Sequence, residues 1–184
     1  MALNLRFAGA RHAVPAGLMV LMLFAAPAWA AHNATQRRID ALLDALIAAE
    51  PLDRAAVERL VHVRLIPASS DNGPFTFYTA SNVPLGDATI ALVDFRAPVA
   101  GSGAAKGSFL ELTLRNGCFA ESLRLRVPMR MPDGMGPNAT DGGDTGWYRS
   151  YTMAWGTESF EFLYASPDCA SSVVLNVTDM PRRR

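Results

Sequence analysis

The chain predicts an α+β fold: an N-terminal helical hairpin packed on a mainly antiparallel β-sheet, with one disulfide. Three observations carry that reading. An apolar period of 3.6 residues is confined to residues 35–61, and two-residue alternation punctuated by Gly, Asn and Pro fills most of residues 63–178. The third is a pair of cysteines, Cys118 and Cys169, in a chain that opens with an export signal.

The first thirty residues stand outside the fold. Arg6, Arg11 and His12 form a basic stretch, Leu18 to Ala26 is an apolar core too short to span a bilayer with ease, and Ala28-Trp29-Ala30 is a small-x-small cleavage site. Residues 1–30 are therefore read as a cleaved secretory signal peptide, and 31–184 as a single α+β domain with a basic C-terminal tail, Arg182 to Arg184. No cysteine lies near the cleavage site to carry a lipid, so no stable membrane anchor is expected. Sixteen arginines against the single Lys106 are the bias of a GC-rich bacterial genome, and the expected address is the periplasm.

Ile39, Leu42, Leu43, Leu46 and Ile47 share one helical face, which predicts a helix over 35–49 ended by Pro51. Asp53 is the N-cap of a second helix, with Leu52 stapled against Val57 and with Ala56, Val57, Leu60 and Val61 buried. His62 falls at its C-terminal end, where the helix dipole accounts for it. Val63 to Ile66 starts a strand that Pro67 cuts off. Residues 75–80 alternate as a strand, with a loop through Asn82 and Pro84. The nearly continuous apolar run 88–95 predicts a central strand covered at least in part on both faces. Pro98 to Gly107 reads as a glycine-rich surface loop.

Leu110, Leu112 and Leu114 line one face of the next strand, and Asn116-Gly117 fits a type I′ turn into a return strand through Phe119, Leu123, Leu125 and Val127. Glu121 interrupts that apolar face, so the return segment is either an edge strand or, beginning at Phe119, a short helix; the strand is favoured. Pro128 to Gly146, nineteen residues, has loop chemistry throughout, and a loop of that length is functional or disordered. From Trp147 a hairpin with a type II′ turn at Gly156-Thr157 is expected, setting Met153 opposite Phe160 and Tyr151 opposite Phe162. A last strand, 172–178, turns Val173, Leu175 and Val177 one way.

Each cysteine has the other as its only intramolecular partner. The loop that Cys118 and Cys169 close spans 51 residues, for which the chain-entropy model gives roughly 4 kcal/mol. An oxidising compartment favours the bond.

Catalytic readings lack parts. Past the signal and the mature terminus His62 is the only histidine, no GxSxG surrounds a serine, and GSGAAKG at 101–107 lacks Walker spacing. With both cysteines bonded, zinc has only His62 and carboxylates to use. Asp133, Asp141 and Asp144 raise a calcium question, but the EF-hand spacing and its terminal Glu are missing. Glu111, Glu121, Glu158 and Glu161 all lie on predicted strands, so a carboxylate pair for glycoside hydrolysis stays open as a weaker alternative, but their spacing is also that of solvent-facing positions on amphipathic strands, and that reading is favoured. The expectation is no enzyme, no metal and no cofactor. Fifteen basic against seventeen acidic residues after signal removal leaves no basic footprint for nucleic acid.

A small exported domain of this build, without a visible active site, is expected to work by binding another protein. The segments LLDALIAAEPLDRAAVERL, RNGCFAES and YASPDCASSVV carry a resemblance, in overall build, to the small periplasmic immunity and inhibitor proteins that bacteria pair with secreted antibacterial toxins. What the resemblance implies is a non-catalytic partner that occludes a toxin enzyme's active site. The expected contact is the 128–146 loop with its flanking aromatics: Asp133, Asp141, Asp144, Trp147 and Tyr148, carboxylates for orientation beside aromatic anchors. A cell-envelope structural or assembly factor is the alternative, although such proteins usually carry the lipid anchor missing here.

Overall fold

The computed structural model describes residues 34–49, 51–68, 73–99, 107–115, 118–125, 131–140 and 143–178, with the backbone alone at 122, 123, 138–140 and 143–145. The expected signal peptide, the arginine tail, most of the 98–107 loop, the Asn116-Gly117 turn and Asp141 lie outside the described residues.

The architecture is mixed α and β, mostly β, with one disulfide. Helix α1 covers 34–48 and α2 covers Arg54–Val61. Asp53 caps α2 as its sequence requires, its side chain accepting from the Ala56 amide at 2.8 Å. His62 ends the helix in the left-handed conformation (φ 57°), its amide donating to the Glu58 carbonyl.

Eight strands follow: β1 (Ile66–Pro67), β2 (Phe75–Leu85), β3 (Ala88–Pro98), β4 (Ser108–Arg115), β5 (Gly134–Thr140), β6 (Gly143–Met153), β7 (Gly156–Leu163) and β8 (Ala170–Val177). They make one antiparallel sheet in the order β1-β2-β3-β4-β8-β7-β6-β5. The last strand thus lies in the middle, between β4 and β7. A short helix, α3 (Glu121–Leu125), follows β4.

One sheet face holds the core. Leu43, Leu46 and Val57 from α1 and α2 join Phe95, Leu110, Phe160 and Leu175 from the strands in a single buried cluster. Each such side chain contributes roughly 2–3 kcal/mol on leaving water. The opposite face is polar, with Arg96 held between the rings of Phe77 (5.3 Å) and Phe109 (4.3 Å) and paired to Asp94 at 2.7 Å.

Several expectations are corrected. Strand β2 runs on through the supposed loop: Asn82 adopts φ 58°, which asparagine tolerates, and Pro84 lies beyond the reach of two-residue β1, where a missing amide costs little. Among the described residues strand β3 is fully buried on one face, and its other face is half-covered by polar and aromatic side chains in place of a second apolar layer. A bulge between Ile90 and Leu92 shifts its alternation, so Ile90, Val93 and Phe95 are buried while Leu92 is 37 % exposed. Leu110, Leu112 and Leu114 share the buried face as expected, but β4 pairs with β8 and not with a return strand. The segment around Glu121 takes the helical alternative.

The 128–146 loop is overturned as well, because residues 134–140 form the edge strand β5 against β6. Glycine and Pro137 disguised it, and proline in a sheet belongs on an edge strand. The β6–β7 turn lies at Ala154-Trp155, two residues before the expected position, with Tyr151 opposite Glu158 and Trp147 opposite Phe162. The displacement is even, so every side chain keeps the face assigned to it.

Candidate functional site

The disulfide sets the geometry of the region around α3. Cys118 and Cys169 are bonded with Cα atoms 4.7 Å apart. Beside them Phe119 and Ala170 exchange backbone hydrogen bonds of 3.3 and 3.0 Å, and the Phe119 ring stacks on Phe160 at 5.5 Å. The Ala120 amide donates to Gln36 Oε1 at 2.9 Å, tying α3 to α1. A helix of five residues is too short to persist unaided, and these contacts hold it across the inner face of β6 and β7.

Glu121 and Arg124 of α3 both turn towards the sheet. Glu121, 7 % exposed, accepts from Arg149 Nη1 at 2.5 Å and from the Tyr151 hydroxyl. Arg124 donates Nε to Glu158 Oε1 at 2.9 Å and Nη1 to Asp44 Oδ1 at 2.5 Å. Burial pushes the Glu158 carboxyl above the usual carboxylate range, and Arg124 only partly offsets it. For Arg124, burial opposes the charge, but the hydrogen bond to Asp44 and the charge of Glu158 outweigh it and hold the guanidinium above its ordinary range. Buried ions hold their place only when fully paired, so α3 closes the core with charge where the helices α1 and α2 close it with leucine.

Outward from Glu121 the inner face becomes an aromatic and cationic ladder. Arg149 lies 4.1 Å over the Trp147 ring and 5.0 Å over Phe162, and those two rings stack at 4.6 Å. A cleft of about 260 Å³ opens beside them, lined by Glu121, Arg149, Phe162, Pro167 and Asp168. Opposite Arg149 in the register is Met135, 64 % exposed, and Met131 just before β5 is 81 % exposed. Methionine, tryptophan and arginine together are the composition of an adaptable binding surface.

The residues expected to bind a partner are distributed unevenly here. Trp147 belongs to the ladder. Tyr148 points to the opposite face, over Gly136, where a Cβ would come within 3.1 Å of its ring. Asp133 is exposed and anchors the start of β5 to β6: its Oδ2 accepts from the Thr152 amide at 2.6 Å, and its own amide donates to the Ser150 carbonyl at 2.8 Å. Asp144 is paired with Ala139 in the β5–β6 register, its side chain lying outside the described residues, as does all of Asp141. Trp147 and Tyr148 therefore do not share one contact surface.

Sequence reasoning passed over Arg149 and Met135. The signal available was Glu121, an acid breaking an apolar face, which called for a buried cationic partner.

Comparison of the chain with protein-family models, with curated proteins and with solved structures found no match to any of them. Among the described residues no helix is long and apolar enough to cross a membrane, and no group of three or more His, Cys, Asp or Glu is placed to hold a metal ion.

Proposed function

We propose that this protein is an exported, non-catalytic binding module: an immunity or inhibitor protein that neutralises a secreted antibacterial enzyme in the periplasm, gripping it with the β5–β6 end of its sheet. In this reading residues 1–30 are removed on export. The two N-terminal helices form a hairpin over the other end of the inner face and leave this end for the partner. The observation that carries the reading is the exposure of Met135 (64 %), opposite Arg149 in the β5–β6 register and so next to the stack of Arg149 over Trp147; Met131, just before β5, is 81 % exposed. Large apolar side chains next to a Trp–Arg stack supply the anchors that dominate interface energy. The disulfide fits an oxidising compartment reached by export.

The test is affinity capture from periplasmic extract with the oxidised protein as bait, followed by protection of cells expressing the captured enzyme. Met135→Asp and Trp147→Ala are expected to weaken capture at least tenfold, with the melting temperature of Met135→Asp almost unchanged. Undiminished capture by both variants, or turnover of cell-wall or lipid substrates by the purified protein, overturns the proposal.

A further inference from the structure

The surface at the β5–β6 end is open to a covalent change. Both cysteines of the chain are bonded to each other, so its thioethers are the sulfurs left to meet an oxidant. Three methionines lie among the described residues, and they differ in access. Met153 packs, half-buried, against the core, whereas Met131 is 81 % exposed and Met135 64 %. Exposure decides which thioether an oxidant reaches first.

Met135 differs from Met131 in what faces it. It stands directly opposite Arg149 in the antiparallel β5–β6 register, where paired Cβ atoms lie about 4.5–5.5 Å apart. The Arg149 side chain is 34 % exposed, lies 4.1 Å over the Trp147 ring and donates Nη1 to Glu121 at 2.5 Å. A thioether is a flexible apolar filler and a weak acceptor, so it offers Arg149 little beyond contact. A sulfoxide oxygen in its place is a polar acceptor within reach of a guanidinium.

We propose that Met135 is a site of oxidation to the sulfoxide by a hydroperoxide, and that this oxidation switches the β5–β6 end of the sheet from apolar to polar. The Sδ lone pair attacks one oxygen of the peroxide, the S–O bond forms and the O–O bond breaks. The leaving hydroxide takes the proton of the transferred oxygen and departs as water, with sulfur oxidised and the peroxide reduced by the same two electrons. The new oxygen accepts from Arg149 and draws the guanidinium from its place over Trp147. One added atom thus changes Met135 and the stack beside it. Its consequence for a partner rests on the binding reading above: an anchor that has become polar grips less.

The test treats the disulfide-bonded protein with hydrogen peroxide and maps each methionine by peptide mass. Met135 is expected to gain its oxygen at least tenfold faster than Met153. The Trp147 indole N–H resonance is expected to shift as Met135 converts and to stay in place in Met135→Leu, which keeps an apolar side chain without the sulfur. That variant separates Met135 from Met131, which oxidises in both proteins. Met135 reacting no faster than Met153, a Trp147 resonance that ignores conversion, or the same shift in Met135→Leu overturns the proposal. None of these measurements uses a partner, so they stand or fall apart from the capture experiment. With a captured enzyme in hand, peroxide is expected to weaken capture at least fivefold in the wild type and not in Met135→Leu; equal loss in both, or none in the wild type, overturns the switch and leaves the binding reading standing.

Discussion

The two halves of the sheet solve the same problem with different chemistry. Beneath α1 and α2 the inner face of β2–β4 is apolar, with Val93, Phe95 and Leu110 fully buried. Beneath α3 the inner face of β6 and β7 mixes Phe160 and Phe162 with Tyr151, Arg149 and Glu158, and those polar groups are satisfied by α3 and Asp44. An apolar core loses stability in proportion to what is removed. A buried ionic core does not: deleting one partner strands the other, at several kcal/mol, so the α3 half is the more brittle.

The difference can be broken from either side. The largest expected effect is on the α3 half: replacing Cys118 and Cys169 by alanine frees the 51-residue loop and lowers stability by about 4 kcal/mol, read from the urea midpoint. Glu121→Leu leaves Arg149 and the Tyr151 hydroxyl without their acceptor and costs about 3 kcal/mol in the same measurement, despite being a hydrophobic replacement at a buried site. On the apolar half, Ile90→Val removes one buried methylene and costs only about 1 kcal/mol. Asp44→Asn costs still less, under about 0.5 kcal/mol, and that loss fades in high salt because Asp44 is mostly exposed.

Two glutamates sharpen the contrast through pH. Glu58, in the α2 half, is held below its ordinary 4.5 by a hydrogen bond from the Leu65 amide and by Arg54. A carboxyl lowered on folding contributes stability above pH 4.5, and that contribution is lost as pH falls through the folded value. Glu158 is raised from the same 4.5 by burial, so its contribution is present below pH 4.5 and lost as pH rises through the folded value. Stability of the wild type relative to Glu58→Gln should therefore fall on acidification, and relative to Glu158→Gln should fall on raising the pH. Denaturation midpoints across the pH range check both signs, and parallel profiles would remove the distinction between the halves.

What could be read from the sequence was whatever depends on near neighbours or on having no alternative. The helical period at Ile39–Leu46, the cap at Asp53 and the alternation of Leu110–Leu114 are local, and Cys118 had a single possible partner. The face of each residue in the β6–β7 hairpin survived a misplaced turn because the displacement was even. Pairing between distant strands was not legible: Asn116-Gly117 suggested a local return, while the true neighbour of β4 begins at Ala170. Strand β5 was hidden because an edge strand with one ladder tolerates glycine and proline that a central strand would not. In the candidate site, Trp147 was visible as an aromatic anchor. Its stacking on Phe162 under Arg149 depends on a register that the displaced turn had assigned differently.

The position of β8 has a consequence for how the chain reaches its native state. Since β8, the last of the described strands in sequence, joins the β1–β4 meander to the β5–β7 meander, neither half can acquire its inner neighbour until the chain through Val177 is available. Such distant pairing slows folding. Cys169, the residue before β8, reaches Cys118 only as that pairing forms, so closure of the disulfide belongs to the late part of folding.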